Sequence, residues 1–325
     1  MKRNLLNSMI VILFLFAAAG AFGQTNLIRE YVGLINQTYY PEAVDYIVKL
    51  KEDMIKKGMA SDTAEFFDDY LKGSFGSGFV YVGDDGSNYI ITNYHVIARA
   101  HTISITFENR EGEKTVYEQL RLIAADEDID LAVLAFRDDA KPFNSGLVFM
   151  TEHVEEGSDV FAAGFPGLGN EAIWQFSRGM ISNAAVRFPP EKDVSQNEVR
   201  LGPFIQHTAQ VDPGNSGGPL LVRQPEAAVG YVVAGINTLS ARRRQAANFA
   251  IPADRALAFI QTAINGSDPA VKREKLDAKV ESFISGLDAP RAVFPHIAAY
   301  LSNHCIAVNA EYAVSEVMDR TSATV

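Results

Sequence analysis

The chain has 325 residues, of which 47% are hydrophobic and 21% are charged, so it can bury one large or two small hydrophobic cores. Its formal net charge of −11 argues against a nucleic-acid partner that is bound through phosphate contacts. Its single cysteine, Cys305, excludes an internal disulfide; we expect a buried, inert thiol there, with an intermolecular bridge as the alternative.

The first residues have the pattern of a secretory signal peptide. A basic start, MKRN, precedes the apolar run MIVILFLFAAAGAF, and the small-residue ending AFG stands before Gln24. A membrane-spanning helix needs about 20 apolar residues, so an uncleaved anchor is the less favoured interpretation. We predict that residues 1–23 are a cleaved signal peptide. The mature protein is then exported, periplasmic or extracellular, and not stably inserted in a membrane.

Residues 24–72 are predicted to form a helical N-terminal segment. In PEAVDYIVKLKEDMIKKG, Pro41 suits the first helical turn and lysines lie near the other end. In the next stretch, SDTAEFFDDYLKG, Ser61 or Asp62 can cap the start of a helix and Gly73 can end it.

From Gly73 onward the sequence is typical of β-structure. Short β-branched and aromatic runs, such as NYIITNYHVI, TISITFEN and LAVLAF, alternate with Gly, Asp and Asn turns. The second half repeats this with DVFAAGF, RGMISNAAV, GGPLLV, GYVVAGINT and NFAIP. We therefore predict a mainly β protein in which residues 73–265 form two small β-barrels closed by a helix, ADRALAFIQTAING. Residues 266–325 are predicted to be helical again.

The stretch VDPGNSGGPLLV places Ser216 in a glycine-rich turn directly before an apolar strand. A serine hydroxyl is a poor nucleophile until a base takes its proton, and His95 in ITNYHVIA is the candidate base. The amides of Gly214 and Ser216 can be aimed at one point beside the hydroxyl, as an oxyanion hole requires. The two glycines after the serine leave room for a substrate backbone.

Three acidic residues in DEDIDLAVLAF compete as the group that orients the histidine. Asp126, Asp128 and Asp130 alternate, so a strand would place all three on one face. Asp130 is the preferred candidate because it directly adjoins the apolar strand and can be buried. The other two are assigned to an acidic surface loop.

These motifs together resemble the trypsin-like serine proteases of the HtrA/Deg branch, whose fold is a chymotrypsin-like double β-barrel. TNYHV, DIDLAVL and GNSGGPL occur in the order His, Asp, Ser, and GSGFV, GFPGLG…GMIS, GINT and NFAIP add to the likeness over residues 73–265. The resemblance implies that Ser216 attacks the scissile carbonyl, that His95 transfers the proton, and that Asp130 orients the imidazole.

The resemblance also implies polypeptide substrates and a homo-oligomer, with a trimer as the common form in the family. The substrate pocket is expected to be apolar and to accept small or medium aliphatic side chains before the scissile bond. Its predicted residues are Gln210, Gly235, Ile236, Asn237, Phe249 and Ala250.

Two features depart from the family pattern. Digestive relatives have an aspartate that pairs with a newly cut amino terminus where this chain has Asn215, which cannot form that ion pair. We expect instead that residues 164–178 and 238–247 are mobile loops that become ordered on binding. A PDZ domain needs roughly 90 β-rich residues, which the helical pattern of 266–325 does not provide.

Several other residues are expected to be structural. His207 is predicted to pack in the barrel and Trp174 to pack in the core. Arg242–Arg244 are expected to lie in a solvated loop, with a substrate-reading patch as the alternative. The remaining histidines show no metal-ligand spacing, so we expect no metal and no other cofactor. The function predicted is that of a serine endopeptidase; a chaperone-like binding protein on a protease scaffold is the alternative, and an esterase a minor one.

Overall fold

Short antiparallel strands are the predominant regular structure described between residues 32 and 252 in the computed structural model. The structure describes residues 27–39, 41–56, 74–98, 100–168, 171–187, 191–192, 198–199, 202–240 and 247–265. Tyr39 and helix α1 (Pro41–Lys56) belong to one compact unit. The other described residues, from 27 to 38 and from 74 to 265, belong to a second, which is called the β-unit below.

The first half of the β-unit is a seven-stranded antiparallel sheet with the strand order β5-β4-β1-β2-β3-β7-β6. In β4 every second residue is buried, as expected for a strand with one face on a core, whereas β7 is buried along its whole length. The strands are β1 Val32–Thr38, β2 Ser74–Val82, β3 Asn88–Thr92, β4 Thr102–Glu108, β5 Lys114–Tyr117, β6 Arg121–Asp126 and β7 Leu131–Ala135.

The second half is a closed six-stranded barrel with the order β11-β14-β17-β16-β15-β8. Its strands are β8 Asp159–Gly164, β11 Gln175–Val186, β14 Phe204–His207, β15 Pro219–Arg223, β16 Tyr231–Ser240 and β17 Asn248–Pro252. Two small two-stranded ribbons lie between barrel strands in the sequence: β9 Gly167–Leu168 with β10 Glu171–Ala172, and β12 Glu191–Lys192 with β13 Glu198–Val199. A 3₁₀ turn, Arg137–Asp139, and the helices α2 Tyr94–Ile97 and α3 Ala253–Asn265 complete the described elements.

One hydrophobic cluster is shared by the sheet and the barrel. It joins Phe79 and Ile91 of the sheet to Val233 and Ile236 of the barrel, and helix α3 adds Phe259. The sheet and the barrel are therefore packed on each other, which holds the loops between them in fixed places. Trp174 packs against this cluster and contacts the ring of Phe165, in agreement with its predicted packing role.

The prediction of a helical segment over 24–72 is wrong for Val32–Thr38, which form strand β1. Residues 27–31 are helical and α1 begins at Pro41 as predicted, but β1 lies between β2 and β4 and pairs with both. Its burial alternates from Ile35 to Thr38, and Gly33 allows Ile105 to approach closely. Pairing with two neighbouring strands thus outweighs the helical surroundings of this segment.

Several predictions fall on residues that the structure leaves undescribed. These are the signal peptide (1–23), the helices expected over 57–72 and 266–325, the thiol of Cys305, and Arg242–Arg244. Within the described residues, no helix has both the length and the apolar character needed to cross a membrane.

Candidate active site

Ser216 lies in a tight turn that leads into strand β15. The amide of Asn215 donates to the carbonyl of Asp212 at 3.0 Å, and the amide of Gly218 donates to the carbonyl of Asn215 at 3.0 Å. Gly214 has a φ of +106°, and a Cβ there would lie 2.5 Å from the carbonyl oxygen of Phe165. The turn therefore requires glycine at 214 both for its backbone conformation and for space.

The amides of Gly214 and Ser216 are the two in this turn that have no hydrogen-bond acceptor in the described part of the chain. Gly214 is a buried residue, and buried amides without a partner are uncommon in folded proteins. The peptide group before Gly214 is fixed by its carbonyl, because Pro213 accepts a hydrogen bond from the amide of Gly167 at 2.9 Å. Both amides are thus available as donors to a bound group.

Ser77 of β2 ties the sheet to this turn. Its hydroxyl donates to the carbonyl of Gly214 at 2.7 Å and accepts from the amide of Phe165 at 2.9 Å. Its own amide donates to the carbonyl of Ser216 at 2.8 Å. Ser77 has no exposed surface, so these hydrogen bonds fix the turn to the buried core of the β-unit.

His95 and Asp130 meet beside the turn, from two segments of the sheet. His95 lies in the short helix α2 after β3, and its Nδ1 is 2.8 Å from Oδ2 and 3.0 Å from Oδ1 of Asp130. The backbone amide of His95 also donates to Asp130 Oδ1 at 2.9 Å. Because an ionised carboxylate only accepts hydrogen bonds, Nδ1 carries the proton of the neutral ring and Nε2 is left as the basic nitrogen.

The structure places Asp130, and not Asp126 or Asp128, against the histidine. The expected alternation on one face is wrong because β6 ends at Asp126 and the following residues form a turn. Asp126 accepts hydrogen bonds from the amides of Asp128 and Ile129 inside that turn, and Asp128 is exposed. Asp130 has a φ of +57° at its end, directly before the buried strand β7.

Thr238 contacts both sides of the site, a role that the sequence did not indicate. Its hydroxyl donates a short hydrogen bond to Asp130 Oδ2, and its carbonyl accepts from the Ser216 hydroxyl at 3.4 Å. In this structure the Ser216 hydroxyl makes no hydrogen bond to the His95 ring. The hydroxyl must leave the Thr238 carbonyl before it can donate its proton to the imidazole.

The residues predicted to form the substrate pocket lie in two paired strands and one loop. Asn237 pairs with Ala250 across β16 and β17, and Ile236 and Ala250 have no exposed surface. Phe249 is also buried, whereas Gln210 is exposed and its side-chain amide donates to Asp212 at 2.9 Å. Gly235 lies in the same strand as Ile236. Their part in substrate binding stays a prediction.

His207 is buried, as a structural histidine is expected to be. It lies in β14, has no exposed surface, and neither of its ring nitrogens has a hydrogen-bond partner in the described structure. Burial lowers the pKa of His207 to about 4, and the polar side chain of Asn237 opposes this shift without forming a hydrogen bond of normal geometry. The ring is therefore neutral in the folded protein at neutral pH.

Acidification is expected to cost stability through His207. Between the unfolded pKa of about 6.5 and the folded value of about 4, only the unfolded chain takes up the proton, so the free energy of unfolding falls as the pH falls. The loss attributable to this group is about 3 kcal/mol at pH 4. Urea unfolding at pH 7.5 and pH 4 should show the wild type losing about that much more than His207→Gln; parallel losses would contradict the assignment.

Comparison with known proteins shows which family the β-rich part of the chain is similar to. Residues 76–230 match the trypsin-like peptidase domain. This part of the chain is thus similar to the trypsin-like peptidases, and the relatives that match it are named as Do-like (HtrA) serine proteases. It is 32% identical over 194 residues to "Serine protease Do-like HtrA" of Lactobacillus helveticus, covering 58% of this chain and 42% of that protein. It is 37% identical over 188 residues to "Probable periplasmic serine endoprotease DegP-like" of Hahella chejuensis, covering 57% and 34%.

A solved structure shares the fold. The Rv3671c protease from M. tuberculosis, in its active form, matches with a TM-score of 0.53 and 21% identity, over 76% of this chain and 86% of that one. The predicted fold class, mainly β and chymotrypsin-like, is confirmed. Of the two predicted barrels, the described strands close the second, and the first is the seven-stranded sheet. The chain spans less than half the length of the two curated relatives named above.

Proposed function

We propose that this chain is an exported serine endopeptidase that hydrolyses peptide bonds of unfolded or specific envelope proteins. In this proposal Ser216 is the nucleophile, His95 the general base and acid, and Asp130 the group that orients the imidazole. The amides of Gly214 and Ser216 form the oxyanion hole. The matches to serine proteases of the HtrA type support the same conclusion.

The observation that carries the proposal is the contact between His95 and Asp130. The carboxylate receives both the Nδ1 proton and the backbone amide of His95, at 2.8 Å and 2.9 Å. The ring is therefore fixed in the tautomer whose Nε2 can take a proton. This contact lies beside a turn with two amides that lack acceptors, the arrangement needed to stabilise a developing oxyanion.

The reaction follows from these positions. The Ser216 hydroxyl leaves the Thr238 carbonyl, gives its proton to His95 Nε2, and its oxygen forms a bond to the scissile carbonyl carbon. The carbonyl oxygen takes the negative charge and accepts from the Gly214 and Ser216 amides. His95 then protonates the leaving amine as the C–N bond breaks. Water, deprotonated by His95, attacks the acyl-enzyme and releases the acid product and the serine.

A binding or chaperone-like function is the second candidate. It is favoured by one observation, that the Ser216 hydroxyl is hydrogen-bonded to the Thr238 carbonyl and not to the imidazole. A protein held permanently in this state would bind unfolded chains without cutting them. The two candidates predict opposite results with the same substrate.

Degradation of unfolded casein by the purified wild type tests the choice. The peptidase proposal predicts new casein fragments whose amount grows with time. Intact casein after prolonged incubation, together with protection of casein from aggregation, would favour the binding function instead.

The preferred residue before the scissile bond is proposed to be small or medium and aliphatic: Val, Ala or Leu. The strands expected to form the pocket contribute apolar or neutral side chains, such as Ile236, Phe249 and Ala250, and no carboxylate that could pair with a basic residue. Cleavage-site profiling on a mixed peptide library is expected to return these aliphatic residues. A preference for Lys or Arg would contradict the proposed pocket.

Export and assembly are further parts of the proposal. The N-terminal sequence pattern supports a periplasmic or extracellular location, and the likeness to HtrA proteases supports a homo-oligomer, with a trimer as the expected form. Cell fractionation tests the first, through the size and compartment of the mature protein. Sedimentation equilibrium of the purified protein tests the second.

A further inference from the structure

The side chain of Asn215 is held inside the β-unit next to the nucleophile. Asn215 is 1% exposed, and its backbone joins Gly214 to Ser216, the two residues whose amides lack acceptors. Its Nδ2 donates to Oε1 of Gln175 at 3.0 Å. The position of this side chain is therefore linked to the orientation of both amides, because all three belong to consecutive residues of one tight turn.

Gln175 is well placed to fix that side chain. It is the first residue of β11, and its backbone is paired with Gly164 of β8 within the closed barrel. Gly164 is also required here, since a Cβ at that position would lie 2.5 Å from Oδ1 of Asn215. Gly164 on β8 thus leaves space for the Asn215 side chain, and Gln175 on β11 provides its hydrogen-bond acceptor.

The contact between Asn215 and Gln175 joins two uncharged side chains, as the burial of residue 215 requires. A buried aspartate at 215 would need a cation to offset the loss of hydration. The amide of asparagine needs an acceptor for its N–H groups instead, and a glutamine oxygen meets this need without a charge. Asn215 and Gln175 are therefore chemically matched.

We propose that Gln175 is a positioning residue for the oxyanion turn. By accepting from Asn215 Nδ2, it holds the amides of Gly214 and Ser216 where they can donate to the substrate carbonyl oxygen as it becomes charged. This inference rests on the proposed endopeptidase function. It assigns to β11 a direct effect on the rate of bond cleavage, although Gln175 itself touches no reacting atom.

The test compares two substitutions of nearly equal size. Gln175→Leu removes the acceptor and is expected to lower kcat about tenfold with KM nearly unchanged, because the lost hydrogen bond acts on the transition state. Gln175→Glu keeps an oxygen acceptor and should stay within about threefold of wild type. Affinity for a peptide aldehyde, whose adduct places an oxyanion in the same hole, should fall with kcat in the leucine variant.

A matched control is Gln224→Leu, which makes the same change at a half-buried glutamine after β15, and is expected to leave kcat unchanged. Where Gln175→Leu does not fold, Gln175→Met removes the acceptor at similar volume and takes its place. The double variant with Asn215→Ala should lose no more activity than Asn215→Ala alone, because the two side chains act through one contact.

The outcomes separate this inference from the proposed function. Wild-type activity that is lost in Ser216→Ala, together with a leucine variant as fast as wild type, would overturn only the role of Gln175. Equal losses in the leucine and glutamate variants would also overturn it, since they would show that the oxygen acceptor is not what matters. An inactive wild type would instead contradict the endopeptidase function itself.

Discussion

Replacing Ser216 with alanine is expected to lower kcat for casein-derived peptides by about 10⁴-fold or more. The change removes the nucleophile that forms the acyl-enzyme in the proposed mechanism, and the members of such a triad act as a unit. It should not harm folding, since the hydroxyl makes only the 3.4 Å hydrogen bond to the Thr238 carbonyl among the described residues. Initial rates and thermal unfolding of the same preparations provide the measurement.

The matched control for this variant is Ser87→Ala. Ser87 lies in an exposed turn, where it hydrogen-bonds to Asp85. Its replacement should leave kcat within about twofold of wild type, because surface changes far from a site have small effects. A Ser216→Ala protein that retains more than a hundredth of the wild-type rate would contradict the assignment of the nucleophile.

Replacing Asp130 with asparagine is expected to lower kcat by about 10⁴-fold while the fold is kept. The backbone amide of His95 donates to Oδ1, so the oxygen of an asparagine must occupy that position. Its NH₂ group then takes the place of Oδ2 and faces Nδ1 of the imidazole, at the site of the present 2.8 Å contact. Two donors cannot share a hydrogen bond, so the ring must carry its proton on Nε2, where it cannot accept the serine proton.

Asp128→Asn is the control for this change. Asp128 is two residues away in the same turn and is exposed, and the hydrogen bonds described for His95 go to Asp130 instead. Its kcat should match the wild type within about twofold. The account of the acid is contradicted if Asp130→Asn keeps more than a tenth of the wild-type rate, or if both variants lose activity equally.

The residues proposed to carry the chemistry stand out in the sequence because each lies in a short local motif. Ser216 needs a turn built from glycines, and the required positive φ at Gly214 is a property that sequence alone can indicate. The sequence favours Asp130 over its neighbours because it adjoins an apolar run, and the structure places it directly before the buried strand β7. The predicted strand geometry of the three acidic residues is wrong, however, because a turn follows Asp126.

The residues that hold these groups in place could not be predicted, because their contacts join distant parts of the chain. Ser77 is 137 positions from Gly214, and Thr238 is 108 positions from Asp130. Gln175 is 40 positions from Asn215 and stands in a segment whose local pattern indicates only a strand. Such hydrogen bonds depend on how the sheet packs against the barrel, and no periodicity in the sequence specifies that packing.

The conformation of strand β1 also depends on distant parts of the chain and could not be predicted from the local sequence. The helical pattern around it led to the wrong assignment of Val32–Thr38, and its strand conformation depends on a gap between β2 and β4 that the sequence does not display. The edges of β2 and β4 that face this gap carry backbone groups that need hydrogen-bond partners. A segment of modest local preference therefore takes the conformation that satisfies its neighbours.

Labelling with a serine-directed fluorophosphonate tests the central claim most directly. The purified mature protein is labelled in the presence of unfolded casein, which allows for loops that become ordered on binding, and the modified residue is located by mass spectrometry. The account predicts one adduct per chain, on Ser216, which is absent in Ser216→Ala and strongly reduced in His95→Ala. An unlabelled wild type, an adduct on another serine, or equal labelling of the His95→Ala protein would contradict it.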